Sequence, residues 1–296
     1  MIGLTARSWL LLGVTLAACI AAVVSIKTEI DGGHAISALR SLRRDFQDRA
    51  LAAKLPAVPC PASAFVIVAL GQSNAGNHLG PKVARDPALP AYAFFRDRCV
   101  HLQDPVPGAT GEEGSLWTDL AHRLARRLGQ PVVVIAAAAA GASVHDWHTD
   151  QAGIMTRAQR SLHGLGRIGL TPTAIVWLQG EADGEGRMTE AAYAARLEAV
   201  VARINAGIAS ASTTDTPPPR PAWIITQTSR CWGAASRSEA VRAAQRTVAA
   251  RIPDGHAGPD TDALDETFRR DGCHFNENGR DRIASQLAAQ IAEVVR

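Results

Sequence analysis

"FVIVALGQSNAGNH", residues 65–78, decides how the chain is read: six apolar residues run straight into Gly71-Gln72-Ser73-Asn74. A continuous apolar run that ends at a turn signal fits a strand buried on both faces. Glycine at its end lets the backbone turn sharply and come close to a substrate. Serine at such a turn is either an ordinary turn residue or a nucleophile held where the strand releases the chain. The second reading requires the rest of the chain to supply a base and oxyanion donors.

Working outward, the same kind of run recurs as "PVVVIA" (131–136), "AIVWL" (174–178) and "AWIIT" (222–226). Helical periods lie between them. Leu116, Leu120, Leu124 and Leu128 follow Ser115 as cap and stop at Gly129; Tyr193, Leu197, Val200 and Ile204 mark a second helix. Ser236 with Glu239 predicts a capping box for a third, and the last, after Asn276, carries Ile283, Leu287, Ile291 and Val295 on one face. "STTDTPPPR" (212–220) reads as a surface loop. Strands alternating with helices predict an α/β domain: a doubly wound parallel sheet in three α/β/α layers, flavodoxin-like in type.

The 296 residues, 47% apolar and 20% charged, suffice for a globular domain with a core, and a net charge of +3 gives no argument for nucleic acid. "SWLLLGVTLAACIAAVVSI" (8–26) carries no charge and is just long enough to span a bilayer. Residues 1–27 therefore read as a membrane-anchoring helix, with a cleaved signal peptide or lipidation at Cys19 as alternatives; each of these exports the rest of the chain. Residues 28–57 read as a stalk helix and linker, closed by the prolines of "PAVPCPAS" (56–63), and 58–296 as the domain. In an exported chain the four remaining cysteines suggest two disulfides, and the pairs expected are Cys60–Cys99 and Cys231–Cys273; four buried thiols are the alternative.

In open α/β sheets ligands bind beyond the carboxyl ends of the strands. Four polar clusters fall there. Ser73 follows the first strand. "AAAAAGASVHDW" (136–147) follows the second, with Gly141 able to aim a backbone N–H at the same place. Gln179, in Gln179-Gly180-Glu181-Ala182-Asp183, offers an amide donor after the third. Asp271-Gly272-Cys273-His274 precedes the last helix, where His274 is a base for Ser73 and Asp271 its orienter.

These motifs, in this order, resemble the SGNH hydrolase superfamily, and within it the sialate O-acetylesterase-like branch of carbohydrate acetylesterases. The resemblance runs from about residue 64 to 296. It implies Ser73, His274 and Asp271 as the catalytic triad, and the N–H of Ser73, the N–H of Gly141 and the amide of Gln179 as oxyanion hole. The general pattern has asparagine where Gln179 stands, but the Gln-Gly-Glu form is the one this branch uses. The Gly76-Asn77-His78 triplet is set aside, since a histidine so near the first strand need not act as base.

The function implied is removal of acetyl groups from a carbohydrate by an anchored, extracytoplasmic serine esterase, with no cofactor, no metal and no obligate protein partner. An esterase or thioesterase for lipid-like acyl chains, or a catalytically silent carbohydrate-binding domain, are the competing readings. Asn74, Trp147 and Glu181 stand as candidate substrate contacts; sugars stack on aromatic faces, which also draws notice to Trp232. As a pair, Glu181 and Asp183 could be the two carboxylates of a glycoside hydrolase, but the preferred reading is structural, with Glu181 held by an arginine such as Arg242. His145 and His148 flank Asp146 in H-x-x-H spacing, but no third ligand accompanies them.

Overall fold

Strand β2 (Phe65–Gly71) is buried along its whole length, and its side chains alternate between two cores. Phe65, Ile67 and Ala69 join one core, Val66, Val68 and Leu70 the other. That alternation is what a strand covered by helices on both faces requires. These features come from a computed structural model of the protein, which describes residues 48–184, 188–212, 217–233 and 237–295. The anchor expected over residues 1–27 and the stalk up to residue 47 lie outside the described residues. Among the described residues no helix is long and apolar enough to cross a membrane.

The other strands are β1 (Ala57–Val58), β3 (Ala91–Phe95), β4 (Arg98–His101), β5 (Val132–Ala138), β6 (Ala174–Leu178), β7 (Ala222–Gln227) and β8 (Gly255–Asp260). They form one sheet in the order β1-β4-β3-β5-β2-β6-β7-β8. Within it, β5-β2-β6-β7-β8 are mutually parallel and, counted along the chain, follow the flavodoxin-like order 2-1-3-4-5. The sheet is not parallel throughout. β3 runs parallel to β5, but β4 is antiparallel to β3, and β1 to β4. Arg96 and Asp97 make this hairpin possible by adopting φ of +49° and +63°. Two successive left-handed residues form the tight turn whose twist suits a hairpin. Arg-Asp is not the Asn-Gly or Asp-Gly pair that announces such a turn, so the antiparallel edge carries no signature in the sequence.

Helices α1 (Leu116–Leu128) and α7 (Glu277–Val294) cover one face, bringing Leu116, Leu120, Leu124, Ile283, Leu287 and Ile291 into its core. α3 (Ile154–Arg167), α5 (Glu190–Ala211) and α6 (Glu239–Arg251) cover the other, with Leu162, Tyr193, Leu197, Ile204 and Val248 buried there. Each such aliphatic side chain contributes about 1.5–3 kcal/mol on burial, so packing holds these helices more than propensity does. Short helices α2 (Val144–Thr149) and α4 (Glu181–Gly184) follow β5 and β6. The caps at Ser115, Gly129 and Asn276 lie where the sequence puts them. The cap of α6 is Ser238, whose Oγ accepts from Val241 N; Ser236, the expected cap, lies outside the described residues.

The compact unit starts at Asp48, ahead of residue 58. Residues 48–54 are helical, Ala52 and Leu55 pack on the core, and β1 spans the boundary expected between residues 57 and 58. Disulfides join Cys60 to Cys99 and Cys231 to Cys273, the expected pairs.

Candidate active site

The sheet register sets the geometry. Gly71 stands level with Ala138 on one neighbour and Leu178 on the other. The next residues of all three strands, Ser73, Gly141 and Gln179 among them, therefore emerge along one stretch of rim, at the point where strand order reverses. A ligand crevice forms at such a switch point. Glycine is required at position 71: a Cβ there would lie 1.9 Å from the Leu178 carbonyl oxygen. Ser73, Asn74 and Ala75 then make a single 3₁₀ turn. Among the described residues the Ser73 N–H and Oγ and the Gly141 N–H enter no hydrogen bond, so both N–H groups are available as donors, and no hydrogen bond joins Ser73 Oγ to His274.

The acid and histidine of the last cluster are joined. Asp271 Oδ2 lies 2.7 Å from His274 Nδ1, while its Oδ1 accepts from the N–H of His274 (2.7 Å) and of Cys273 (3.0 Å). Burial pushes the Asp271 carboxyl up, but these three hydrogen bonds outweigh it and hold the group below its ordinary value. An ionised carboxylate only accepts, so Nδ1 carries the ring proton and Nε2 is the nitrogen free to take another.

Asn74 ties this loop to the serine turn. Its Nδ2 donates to Glu181 Oε1 (2.6 Å) and to the Cys273 carbonyl (3.3 Å), and its Oδ1 accepts from Phe275 N (3.2 Å). The residue after Ser73 thus grips the peptide groups on both sides of His274. Arg269, buried over the Phe275 ring, steadies the same loop by donating to the carbonyls of Cys273 (2.6 Å) and Thr261 (3.0 Å). No pattern in the sequence marked Arg269, one of two adjacent arginines before the Asp-Gly turn.

Several expected roles change. Gln179 is fully buried, and its Nε2 lies within 3.2 Å of three acceptors: Gln72 Oε1, the Ala142 carbonyl and Asp183 Oδ2. Its two hydrogens are committed inward, so it braces the rim instead of offering a donor to a substrate. Asn74 and Glu181 are fully buried and bonded to each other, which removes both as substrate contacts. Trp147 is equally buried, edge-on to Trp177, with its Nε1 donating to the Gly71 carbonyl (3.2 Å), so it packs the core. Arg242 does not hold Glu181; it forms a bidentate pair with Asp260 at 2.8 Å. Burial pushes the Glu181 carboxyl well up, against the hydrogen bond from Asn74, and no partner meets its Oε2 among the described residues. Burial raises Asp183 too, although it accepts from Val144 N at 2.8 Å.

Among the described residues the exposed aromatic is Trp232, 63% accessible. It follows Cys231, which is bonded to Cys273, and its N–H donates to the Gly272 carbonyl (2.9 Å). Its φ is +61°, a conformation that bulky residues seldom adopt. An aromatic beside a cysteine of a predicted pair was the only sequence signal for it.

The chain is similar to known proteins in sequence family and in fold. The sequence model of a carbohydrate esterase family, sialic acid-specific acetylesterase, matches residues 115–293. A solved protein from Arabidopsis thaliana is similar in fold at a TM-score of 0.62 and 15% identity, over 77% of this chain and 97% of that one. NanS gives 0.55 and 14%, over 80% and 98%, and an aryl esterase of M. smegmatis 0.50 and 14%, over 78% and 100%. No curated protein matches the chain in sequence. At such identities the structures speak for the fold, and the family match speaks for the chemistry. The chain belongs to the sialic acid-specific acetylesterase family of carbohydrate esterases and is a carboxylic ester hydrolase.

Proposed function

We propose that the protein removes O-acetyl groups from a carbohydrate through Ser73, His274 and Asp271. The observation that carries this reading is the Asn74 clamp, which fastens the loop bearing the Asp271–His274 pair to the turn bearing Ser73. In the first half-reaction Ser73 Oγ attacks the acetyl carbonyl as its proton passes to His274 Nε2. The N–H groups of Ser73 and Gly141 receive the negative charge that develops on the carbonyl oxygen. The sugar hydroxyl leaves with the proton from His274, and an acetyl-enzyme remains. Water, deprotonated by the same nitrogen, then releases acetate and regenerates the serine. Asp271 holds the ring in the required tautomer and stabilises the imidazolium in both halves. Gln179 acts indirectly, holding the Ala142 carbonyl and with it the turn that bears Gly141.

Two disulfides fit an oxidising compartment, so the domain is proposed to work outside the cytoplasm, with residues 8–26 as export signal or anchor. The test is acetate release from a panel of acetylated glycans, with Ser73→Ala as control. Loss of hydrolysis in a variant that keeps the wild-type melting temperature is expected; turnover near that of the wild type would remove Ser73 from the role. Labelling of the serine by a fluorophosphonate separates this reading from a silent binding domain, and acetyl against octanoyl esters separates it from a lipid esterase.

A further inference from the structure

We infer that His78 is a positioning residue for the general base, part of a strut that links the His274 ring to the oxyanion turn. The inference rests on the reading of His274 as that base and adds a residue to it. The two imidazoles stack, with centroids 5.5 Å apart and planes 25° from parallel. On its other side, His78 Nε2 lies 3.1 Å from Thr110 Oγ1. The same hydroxyl accepts from Ala140 N at 2.9 Å, one residue before Gly141. One continuous line of contacts therefore runs from Asp271 through His274, His78 and Thr110 to the turn that offers the oxyanion donor.

The strut is seated and does not merely touch. A Cβ on Gly111, whose φ is +97°, would fall 2.9 Å from His78 Nε2, and one on Gly76 would fall 3.1 Å from His78 Cδ2. The nearest obstacles at these two glycines are backbone oxygens, Asn77 O at 2.1 Å and Thr110 O at 2.7 Å, so the ring lies where two backbone segments pass closely. The segments carrying Asn77 and Thr110 are sewn together: Asn77 N donates to the Thr110 carbonyl (2.7 Å), Glu113 N to the Asn77 carbonyl (3.0 Å), and Asn77 Nδ2 to the Val106 carbonyl (3.0 Å). Glu113 is also paired with Arg270, next to Asp271.

Asp271 fixes His274 at Nδ1 but leaves rotation about that hydrogen bond. A ring lying against the imidazole face opposes such rotation and so limits the directions in which Nε2 can point. When His274 becomes imidazolium during attack, an aromatic face beside it also attracts the new charge. Both effects act on the transition state, so they belong in kcat and leave KM alone.

The experiment measures kcat and KM for 4-nitrophenyl acetate in the full chain carrying His78→Ala, His78→Asn or His78→Phe, beside Ser73→Ala. His78→Ala is expected to lower kcat about 3- to 30-fold with KM unchanged. His78→Phe keeps an aromatic face and is expected to regain most of that loss. His78→Asn keeps a polar group for Thr110 without the face and is expected not to. The downfield proton resonance of His274 Nδ1 is expected to broaden in the alanine and asparagine variants and to stay sharp with phenylalanine. Folded alanine and asparagine variants with kcat within about twofold of wild type, or a phenylalanine variant no better than asparagine, overturn the inference. If His78→Ala fails to fold, the phenylalanine and asparagine pair decides. An active Ser73→Ala would instead sink the underlying assignment.

Discussion

Asn74→Ala provides the sharpest test of how the site is held. The side chain makes three buried hydrogen bonds: to Glu181, to the Cys273 carbonyl and from Phe275 N. Truncation does not orphan the Cys273 carbonyl, because Arg269 donates to it at 2.6 Å. It does orphan Phe275 N and the Glu181 carboxyl, since Asn74 supplies the one hydrogen bond that each makes with another described residue. A buried polar group left unpaired costs about 1–3 kcal/mol, so two cost about 2–6 kcal/mol. For a domain of this size that is a fall in Tm of about 4–24 °C. Freed from its clamp, the His274 loop shifts, and misplacement by about 1 Å costs on the order of 100-fold in turnover. Calorimetry and acetyl ester hydrolysis on purified Asn74→Ala measure the two effects. Ser73→Ala is the reference, because the Ser73 hydroxyl makes no hydrogen bond among the described residues and its loss is expected to abolish activity without moving Tm. An Asn74→Ala protein with Tm within about 2 °C of wild type and undiminished turnover would refute the clamp.

Two further outcomes rest on the same geometry. Burial raises the Glu181 carboxyl above its ordinary value of 4.5, so the folded protein holds a proton that the unfolded chain releases. Its contribution to stability is complete below about pH 4.5 and is lost as pH climbs through the folded value. Glu181→Gln copies the protonated acid at every pH, and its advantage in Tm over wild type is expected to be absent near pH 4 and to grow toward pH 8; an offset independent of pH would count against a buried neutral acid. Trp232→Ala is expected to raise KM for an acetylated sugar about 5- to 10-fold while hydrolysis of 4-nitrophenyl acetate is unchanged, because the exposed indole offers a face for a sugar ring. Equal effects on both substrates, measured by initial rates, would show that Trp232 serves the loop and not the sugar.

How much was legible beforehand depended on the range of the interaction. Residues 65–70, 131–136, 174–178 and 222–226 declared themselves as strands because each is apolar on both faces, and α1 and α7 because their leucines and isoleucines recur at helical spacing. β8 stayed hidden because Gly-His-Ala-Gly-Pro-Asp holds no apolar run; its place comes from pairing with β7. α3 stayed hidden because glycines and arginines interrupt its pattern. The DxxH pairing of Asp271 with His274 was readable because it spans three residues of one turn.

The order of apolar runs along the chain was enough to determine the layered α/β class, whereas the cysteine pairs were expected but became definite only when the fold joined Cys60 to Cys99 and Cys231 to Cys273. Tertiary structure alone decided which polar side chains are spent inside. Asn74, Trp147, Gln179 and Glu181 look no different in sequence from groups that bind a ligand, yet all four are buried and bonded to partners far away along the chain. His78 is the converse, set aside by its position in the sequence and brought against His274 by the fold. The physical reason is that a hydrogen-bonding group is defined by its partner, and the partner of a buried group is fixed only when strands distant in sequence meet in register at one rim.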